Sequence, residues 1–321
     1  METNKLRGIV IGIAVLTAVL SMGIGCRKQS RVEKLAETID FAATELPPDS
    51  IPVYSAESDQ VEANGIEKYL PETKDSIDLG SFQYTWTDSR DIPPVVIIVD
   101  DFGYAGGDLL KGFAELPPAV VFAVLPDLRN TQKSAEIAVK YGHEVIIHIP
   151  MEAVAAKIKP GDRYLKRSNS EEEIIAMLND FHAQMPMAIA ANNHMGSSAT
   201  DNKYLMNIVL NHLNSKNLYF IDSVTSSNTI AYKLARNLGY RGIRRDLFLD
   251  VPDNSNATIA ARISQLGSFR GRQEPVVIIT HCHNMSKLNA LKKFIDQITL
   301  KGVRIISLAE AYPARTVAAK R

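Results

Sequence analysis

The stretch VVIIVDDFGY, Val95 to Tyr104, begins with five apolar residues and then places two carboxylates, Asp100 and Asp101, side by side. A short apolar run rich in valine and isoleucine is typical of a strand buried on both faces, as in a parallel sheet. Successive strand residues point to opposite faces, so both carboxylates reach one site only if the strand ends there and the backbone turns. Gly103 permits such a turn, because glycine adopts backbone conformations that other residues avoid.

Seven further apolar runs with strand character follow, separated by segments with helical spacing. They start at Ala119, Glu144, Met187, Leu218, Leu247, Val276 and Val303. Strands that alternate with helices predict β/α units and a mostly parallel sheet. Seven or eight such units within residues 91–316 favour a (β/α) barrel, and an open doubly wound sheet is the alternative architecture.

Residues 1–29 predict a segment that directs the chain to the cell envelope and its membrane. Lys5 and Arg7 precede an uncharged apolar stretch from Gly8 to Gly25, which Cys26 follows. A span of about 18 apolar residues can cross a bilayer, and the same pattern is typical of a signal peptide. Three alternatives stay open: a retained anchor, which we favour, a lipoprotein signal acylated at Cys26, and a cleaved signal. All three place the folded domain outside the cytoplasm.

Residues 30–90 differ in composition from the rest of the chain. They contain thirteen acidic and five basic side chains, with only scattered apolar residues. This composition predicts an acidic, largely disordered linker between the N-terminal segment and a catalytic domain of residues 91–316. Two short pieces, RVEKLAETIDFAA and GSFQYTWTD, could form a helix and a strand that dock on the domain.

Composition and motifs argue against two classes of partner. The formal net charge of the chain is zero, and no basic block is interleaved with aromatic residues, so the sequence predicts no nucleic-acid partner. It contains neither a Walker-type phosphate loop nor a G-x-G-x-x-G turn after a strand. The sequence therefore predicts no bound nucleotide.

Ionisable residues recur at the carboxyl ends of the apolar strands and almost nowhere inside them. They are Asp100, Asp101, His148, Glu152, His194, Asp222, Asp246, Asp250, His281 and His283. In a parallel barrel these ends converge on one face, where active sites are built. Histidine and aspartate side chains that meet there suit a divalent ion such as zinc, with one coordination position left for water.

Six motifs of the chain resemble those of the divergent polysaccharide deacetylases, envelope relatives of the NodB-type carbohydrate esterases. The motifs are IIVDDFGY, HEVIIHIPMEA, NNHMGSSAT, FIDSVTS, RRDLFLD and ITHCHNMS, in family order between Ile97 and Ser286. The resemblance implies a NodB-like distorted (β/α) barrel and a divalent metal, zinc. It also implies that the protein hydrolyses an N-acetyl or O-acetyl group on an envelope or extracellular glycan.

The resemblance further implies roles for individual residues. Asp100 is expected to be the catalytic base, Asp101 a metal ligand and His281 the general acid. The strand-seven motif T-H-C-H departs from the pattern of relatives, and His283 is therefore an alternative acid.

The second motif departs from the family more clearly. NodB-type enzymes take two metal ligands from H-x-x-x-H, whereas this chain has His148 and, four residues on, Glu152. The missing ligand could be Glu152 or His194. We favour His194, because a neutral imidazole suits zinc and its motif lies at the next strand end.

Two further assignments follow from the strand ends and the altered motif. Asp222 and Asp246 are candidates to orient the histidines or to bind sugar hydroxyls. The altered second motif also motivates an alternative function, a catalytically weak or inactive glycan-binding or scaffolding protein of the envelope.

Overall fold

The structure is a computed structural model that describes residues 75–154 and 159–313. Its strands are β1 (Val95–Phe102), β2 (Val121–Val124), β3 (Val145–Met151), β4 (Ala190–Met195), β5 (Tyr219–Asp222), β6 (Ile243–Arg244), β7 (Leu247–Phe248) and β8 (Val276–His281). Its helices are α1 (Gly107–Ala114), α2 (Thr131–Lys140), α3 (Glu171–Gln184), α4 (Lys203–Ser215), α5 (Ala231–Asn237), α6 (Asn256–Gln265), α7 (Met285–Leu300) and α8 (Leu308–Ala311), with a 3₁₀ turn at Leu266–Phe269.

The N-terminal predictions fall almost entirely outside these residues. The segment 1–29 and residues 30–74 of the predicted linker are not among the described residues. Within residues 75–154 and 159–313, no helix combines the length and the apolar character that a membrane span needs.

All eight strands belong to one parallel sheet with the order β6-β5-β4-β3-β2-β1-β8-β7. Strands that follow one another in the chain lie side by side, except β6 and β7, which form the two edges of the sheet. The order is therefore that of a barrel opened between β6 and β7, without the reversal of a doubly wound sheet. The described strands therefore form a curled half-barrel of the NodB-like type, which confirms the predicted architecture.

The two faces of the sheet are covered differently. Alternate residues of the strands face the helices and pack on them in one large cluster, which includes Val95, Ile97, Phe122, Ile147 and Ile278. The opposite residues form a smaller inner cluster, made of Val96, Ile98, Val121, Ala123, Ile146, Ala190, Ile221, Ile243, Val277, Ile279, Ile306 and Leu308. Both faces are apolar, which explains the continuous rather than alternating hydrophobic runs.

The strand predicted at Val303 is wrong. Only an isolated bridge between Ile305 and Val95 forms there. The chain stops pairing because Ser307 accepts a hydrogen bond from the amide of Glu310 and so caps α8, and helix formation ends the extended run. The strand that the sequence did not predict is β6, whose two residues are too few to produce a hydrophobic pattern.

Part of the predicted linker belongs to the packed domain. Leu79, Tyr84 and Trp86 are buried in the large cluster, and the indole of Trp86 donates a hydrogen bond to the carbonyl of Ile263 at 2.7 Å. This segment docks without forming a strand, and the packed part of the chain therefore begins before residue 91. Its three apolar side chains are hard to recognise among the acidic residues that surround them.

Candidate active site

The site follows from the alternation along the strands. On four strands the inner cluster continues, two positions on, into polar residues: Ile98 into Asp100, Ile146 into His148, Ala190 into Asn192 and His194, and Ile279 into His281. Residues two apart on a strand point the same way, so these side chains converge above the inner cluster at the carboxyl end of the half-barrel. All of them are buried or nearly buried.

Asp101 joins this group through an irregularity in β1. Val99 pairs with Phe122 and Phe102 with Val124, so three steps along β1 match two steps along β2. Asp101 has a φ of 71°, in the left-handed region that only a few residue types tolerate. This bulge supplies the predicted turn at Asp101 itself, and both neighbouring carboxylates reach the site.

Three atoms from three strands form a tight triangle. Oδ1 of Asp101 lies 3.2 Å from Nε2 of His148 and 2.9 Å from Nδ1 of His194, and the two nitrogens are 3.1 Å apart. Oδ1 has no hydrogen-bond partner among the described residues. Two imidazoles and a carboxylate thus direct one donor atom each to a common point.

Asn192 fixes the orientation of His148. Its amide nitrogen donates to Oδ1 of Asp100 at 2.8 Å, and its amide oxygen lies 2.7 Å from Nδ1 of His148. The oxygen can only accept, so Nδ1 of His148 must carry a proton. Nε2 of the neutral ring therefore directs its lone pair to Asp101.

The triangle suits a cation. A carboxylate oxygen only accepts hydrogen bonds, and Nε2 of the neutral His148 ring has no proton to donate to it. Burial alone would lower the pKa of His148, but Asp100 and Asp101 outweigh it and raise that pKa above its ordinary value. Burial raises the pKa of Asp101, yet its three histidine neighbours hold it well below the usual range. Both directions arise from the attraction between carboxylates and imidazoles that lie this close together.

The donor set fits a divalent metal. Zinc binds histidine nitrogen and carboxylate oxygen at about 2.0–2.2 Å, which puts two ligands of a tetrahedral ion about 3.4 Å apart. The sides of the triangle are slightly shorter than this, so modest outward shifts of the side chains would admit the ion. The structure thus brings Asp101, His148 and His194 together, as the sequence predicted.

Asp100 lies beside the triangle but is held differently. One of its carboxylate oxygens accepts from Asn192, and the other lies 3.8 Å from Nε2 of His148. Burial raises its pKa above the ordinary value, with Asp101 adding to the effect. A buried carboxyl with a raised pKa and an oxygen near the metal point is suited to take a proton from water.

His281 pairs with an aspartate whose role the sequence left unassigned. Nδ1 of His281 lies 3.1 and 3.0 Å from the two oxygens of Asp250, and the amide of His281 also donates to it. Burial would lower the pKa of His281, but Asp250 outweighs it and raises that pKa. Lys287 lies 2.8 Å from Asp250, and it too was missed in the sequence.

His283 contacts Asp101 rather than Asp250. Its Nε2 lies 2.6 Å from Oδ2 of Asp101, the oxygen that does not take part in the triangle. The rings of His281 and His283 are 5.3 Å apart, so both face the site as predicted. Their hydrogen bonds nevertheless go to different aspartates.

Three predicted site residues are bound elsewhere. The side chain of Glu152 accepts from the amide of Arg167. Asp222 accepts hydrogen bonds from Thr229 and from the amides of Val224 and Tyr232. Asp246 forms a bidentate salt bridge with Arg272. The orienting role predicted for Asp222 and Asp246 is therefore wrong for His281, whose partner is Asp250.

The third metal ligand can be tested directly. We expect Glu152→Gln to keep the affinity for a divalent metal within about twofold of the wild type, because the side chain of Glu152 accepts from the backbone amide of Arg167 outside the triangle. His194→Gln removes a donor atom and should lower metal content strongly. Metal analysis after dialysis measures both. Loss of the metal in Glu152→Gln and retention in His194→Gln would reverse the assignment.

A cavity of about 240 Å³ opens next to the site. It lies at the ends of β1, β2 and β3, and apolar and charged side chains line it together with Tyr104. The lining residues are Tyr104, Leu125, Pro126, Asp127, Leu128, Pro150, Lys159, Pro160, Gly161, Asp162 and Arg163. Pro150 follows His148 by two positions on β3, and burial and the charge of Asp101 raise the pKa of Tyr104, so this side of the cavity faces the triangle.

Comparison with known proteins agrees with this geometry. A family model described as divergent polysaccharide deacetylase matches residues 97–312. The chain is 36% identical to the uncharacterized protein YibQ of Escherichia coli over 189 residues, 59% of this chain and 58% of YibQ. It is 33% identical to an uncharacterized protein of Haemophilus influenzae over 157 residues, 49% of this chain and 55% of that protein. The chain therefore spans less than two thirds of each of these relatives.

A solved structure shares the fold. The uncharacterized protein ATU2773 from Agrobacterium tumefaciens superposes with a TM-score of 0.59 at 17% sequence identity. The match covers 71% of this chain and 92% of that one. It supports the arrangement of strands and helices described above.

Proposed function

The chain belongs to the divergent polysaccharide deacetylase family, and from this premise we propose that it is a metal-dependent hydrolase that removes acetyl groups from a glycan of the cell envelope. The observation that carries the proposal is the triangle of Asp101, His148 and His194. Asp100 lies beside the triangle, and the hydrogen-bonded pair of His281 and Asp250 lies at the same end of the sheet.

The ion that we propose is zinc. Two imidazole nitrogens and one carboxylate oxygen are ligands that zinc prefers, and three protein ligands leave a position open for catalysis. A zinc ion bound there would act as a Lewis acid and would lower the pKa of a water molecule to about 7.

Asp100 is the proposed base. Asn192 occupies its Oδ1, so Oδ2 is the atom that would take a proton from the attacking water. Because the side chain is buried, its pKa is raised, and it therefore holds that proton better than an exposed aspartate does.

His281 is the proposed acid. Its Nδ1 proton is held by Asp250, so Nε2 is the atom that would donate a proton to the departing amine or alcohol. Asp250 raises the pKa of His281 and so keeps the ring protonated to a higher pH. The bond between the acetyl carbon and the nitrogen or oxygen of the sugar breaks, and the oxygen of water joins the acetyl carbon to form acetate. The sugar amine or alcohol departs with the proton of His281.

The neighbouring cavity is the proposed binding place for the glycan. Tyr104 and three prolines offer apolar surfaces to the carbon-hydrogen faces of a sugar ring, and the charged side chains of the lining offer partners to its hydroxyls. A cavity that combines apolar surface with convergent polar groups is the usual form of a small-molecule site.

The location of the protein is a separate part of the proposal. The pattern of residues 1–29 supports attachment to the membrane with the domain outside the cytoplasm. Fractionation of cells that express the full chain and a Cys26→Ser variant would compare a retained anchor with acylation. Release of the variant alone from the membrane would favour acylation.

The proposed function is tested by zinc content and acetate release together. The purified protein should bind zinc, and it should release acetate from acetylated chitooligosaccharides, peptidoglycan fragments or acetyl esters. Zinc without acetate release from any of them, together with measurable glycan binding, would support the inactive scaffold. Absence of zinc, cobalt and nickel after exposure to each metal would overturn the metal-dependent reaction.

The pairing of His281 with Asp250 predicts a change in pH dependence. Because Asp250 raises the pKa of His281, Asp250→Asn should lower it, and the acid form should be lost at a lower pH. We expect the alkaline limb of the kcat/KM profile to move to lower pH in this variant. Asp296→Asn, at an exposed position of α7, is the control and should leave the limb unchanged. An unmoved limb in Asp250→Asn would exclude His281 as the acid that this limb reports.

A further inference from the structure

We propose that Lys287 is a positioning residue that gives His281 and His283 different tasks by fixing which ring nitrogen of His283 carries the proton. The inference rests on the proposed metal site and extends it to residues outside the triangle. Lys287 lies in the first turn of α7, and only 13% of its side chain is exposed.

His283 lies outside the triangle and contacts one of its members, Asp101. Its Nε2 lies 2.6 Å from Oδ2 of Asp101. An ionised carboxylate only accepts hydrogen bonds, so Nε2 must carry a proton. His283 thereby occupies Oδ2 and leaves Oδ1 of Asp101 to face His148 and His194.

Lys287 favours the same tautomer from the other side of the ring. Its ammonium group lies 3.4 Å from Nδ1 of His283 and 2.8 Å from Oδ2 of Asp250. An ammonium group has three donors and no acceptor, so Nδ1 of His283 must accept and cannot carry the proton of the neutral ring. The backbone amide of Lys287 is held by the side chain of Asn284, which caps α7.

The two histidines therefore have opposite tautomers. Asp250 takes the Nδ1 proton of His281, while Lys287 faces the bare Nδ1 of His283. Nε2 of His281 remains available for proton transfer, and Nε2 of His283 is committed to Asp101. Lys287 contacts both His283 and Asp250, the partner of His281. This accounts for two histidines in a motif where one acid would be enough.

The first test reads the tautomer in the metal-free protein. Nitrogen-15 NMR of labelled histidine should show the His283 ring protonated at Nε2 in the wild type. Lys287→Met keeps the length of the side chain but removes the donor, and it should shift His283 toward the Nδ1 tautomer or a mixture. Unchanged nitrogen shifts of His283 in this variant would overturn the inference, whatever the metal site does.

The second test reads the consequence for the metal. Groups that orient metal ligands typically contribute about 10- to 100-fold in metal affinity, so Lys287→Met should weaken Zn²⁺ binding by about that factor in calorimetric titration. Lys292→Met, at an exposed position of the same helix, is the matched control and should bind as the wild type does. If the wild type itself binds no Zn²⁺, the proposed function fails, and the NMR result alone decides the role of Lys287.

A double-mutant cycle separates positioning from general damage to the fold. His283→Gln offers an amide N–H donor to Asp101 that does not depend on Lys287. In that background Lys287→Met should change Zn²⁺ affinity by no more than about twofold. Equal weakening in both backgrounds would show that Lys287 acts by another route, and the proposal would be wrong.

Discussion

Asp101→Asn is expected to abolish stoichiometric zinc binding and acetate release together. The substitution replaces the only carboxylate of the triangle by a neutral amide, and the two imidazoles then lack the negative charge that offsets a divalent ion. Loss of the metal removes several kcal/mol of transition-state stabilisation, which corresponds to about a thousandfold or more in rate. Metal analysis and acetate release on the same sample measure both effects.

Asp108→Asn is the control for this change. Asp108 lies at an exposed position of α1, and its substitution should leave zinc content and rate as they are. A melting curve of each variant checks that the fold is intact. Wild-type zinc content in Asp101→Asn would show that the triangle is not the metal site.

Asp100→Asn should separate metal binding from catalysis. The carboxylate of Asp100 lies outside the triangle, and its Oδ2 is 3.8 Å from Nε2 of His148, so the variant should retain zinc. It cannot accept a proton from water, and a positioned general base typically contributes about 10²- to 10⁴-fold. We expect kcat for acetate release to fall by that factor.

The same experiment distinguishes Asp100 from a residue that only supports the fold. A parallel loss of zinc and activity in Asp100→Asn would assign it to metal binding, and an unchanged kcat would exclude it as the base. Asn192→Asp provides a comparison, because it replaces the amide donor to Asp100 by a second carboxyl group. That variant should change kcat while zinc remains bound.

The sequence was sufficient for the frame of the site. Valine- and isoleucine-rich runs located most of the strands, because parallel strands buried on both faces are apolar throughout. The alternation of side chains then placed Asp100, His148 and His194 at one end, since a parallel arrangement brings all carboxyl ends together. Hydrophobic periodicity is a local property, and it can therefore be read directly from the sequence.

The partners of these residues could not be predicted in the same way. Asn192 and Lys287 belong to residue types that are common on surfaces, and nothing in their neighbours marks them as buried. Asp250 and Asp222 look alike in the sequence because both follow strands. Which aspartate meets His281 depends on how β7 pairs with β8 and on the path of the chain after β7, and hydrophobic periodicity carries no information about that.

The bulge in β1 has a consequence for anyone who would transplant this site into a designed barrel. In an idealised strand, one aspartate would face the interior of the barrel and its neighbour would be buried under the helices. Grafting the side chains alone would therefore leave a charged residue in an apolar layer. The irregular backbone at Asp101 must travel with the two carboxylates, whereas the histidines can be grafted onto regular strands.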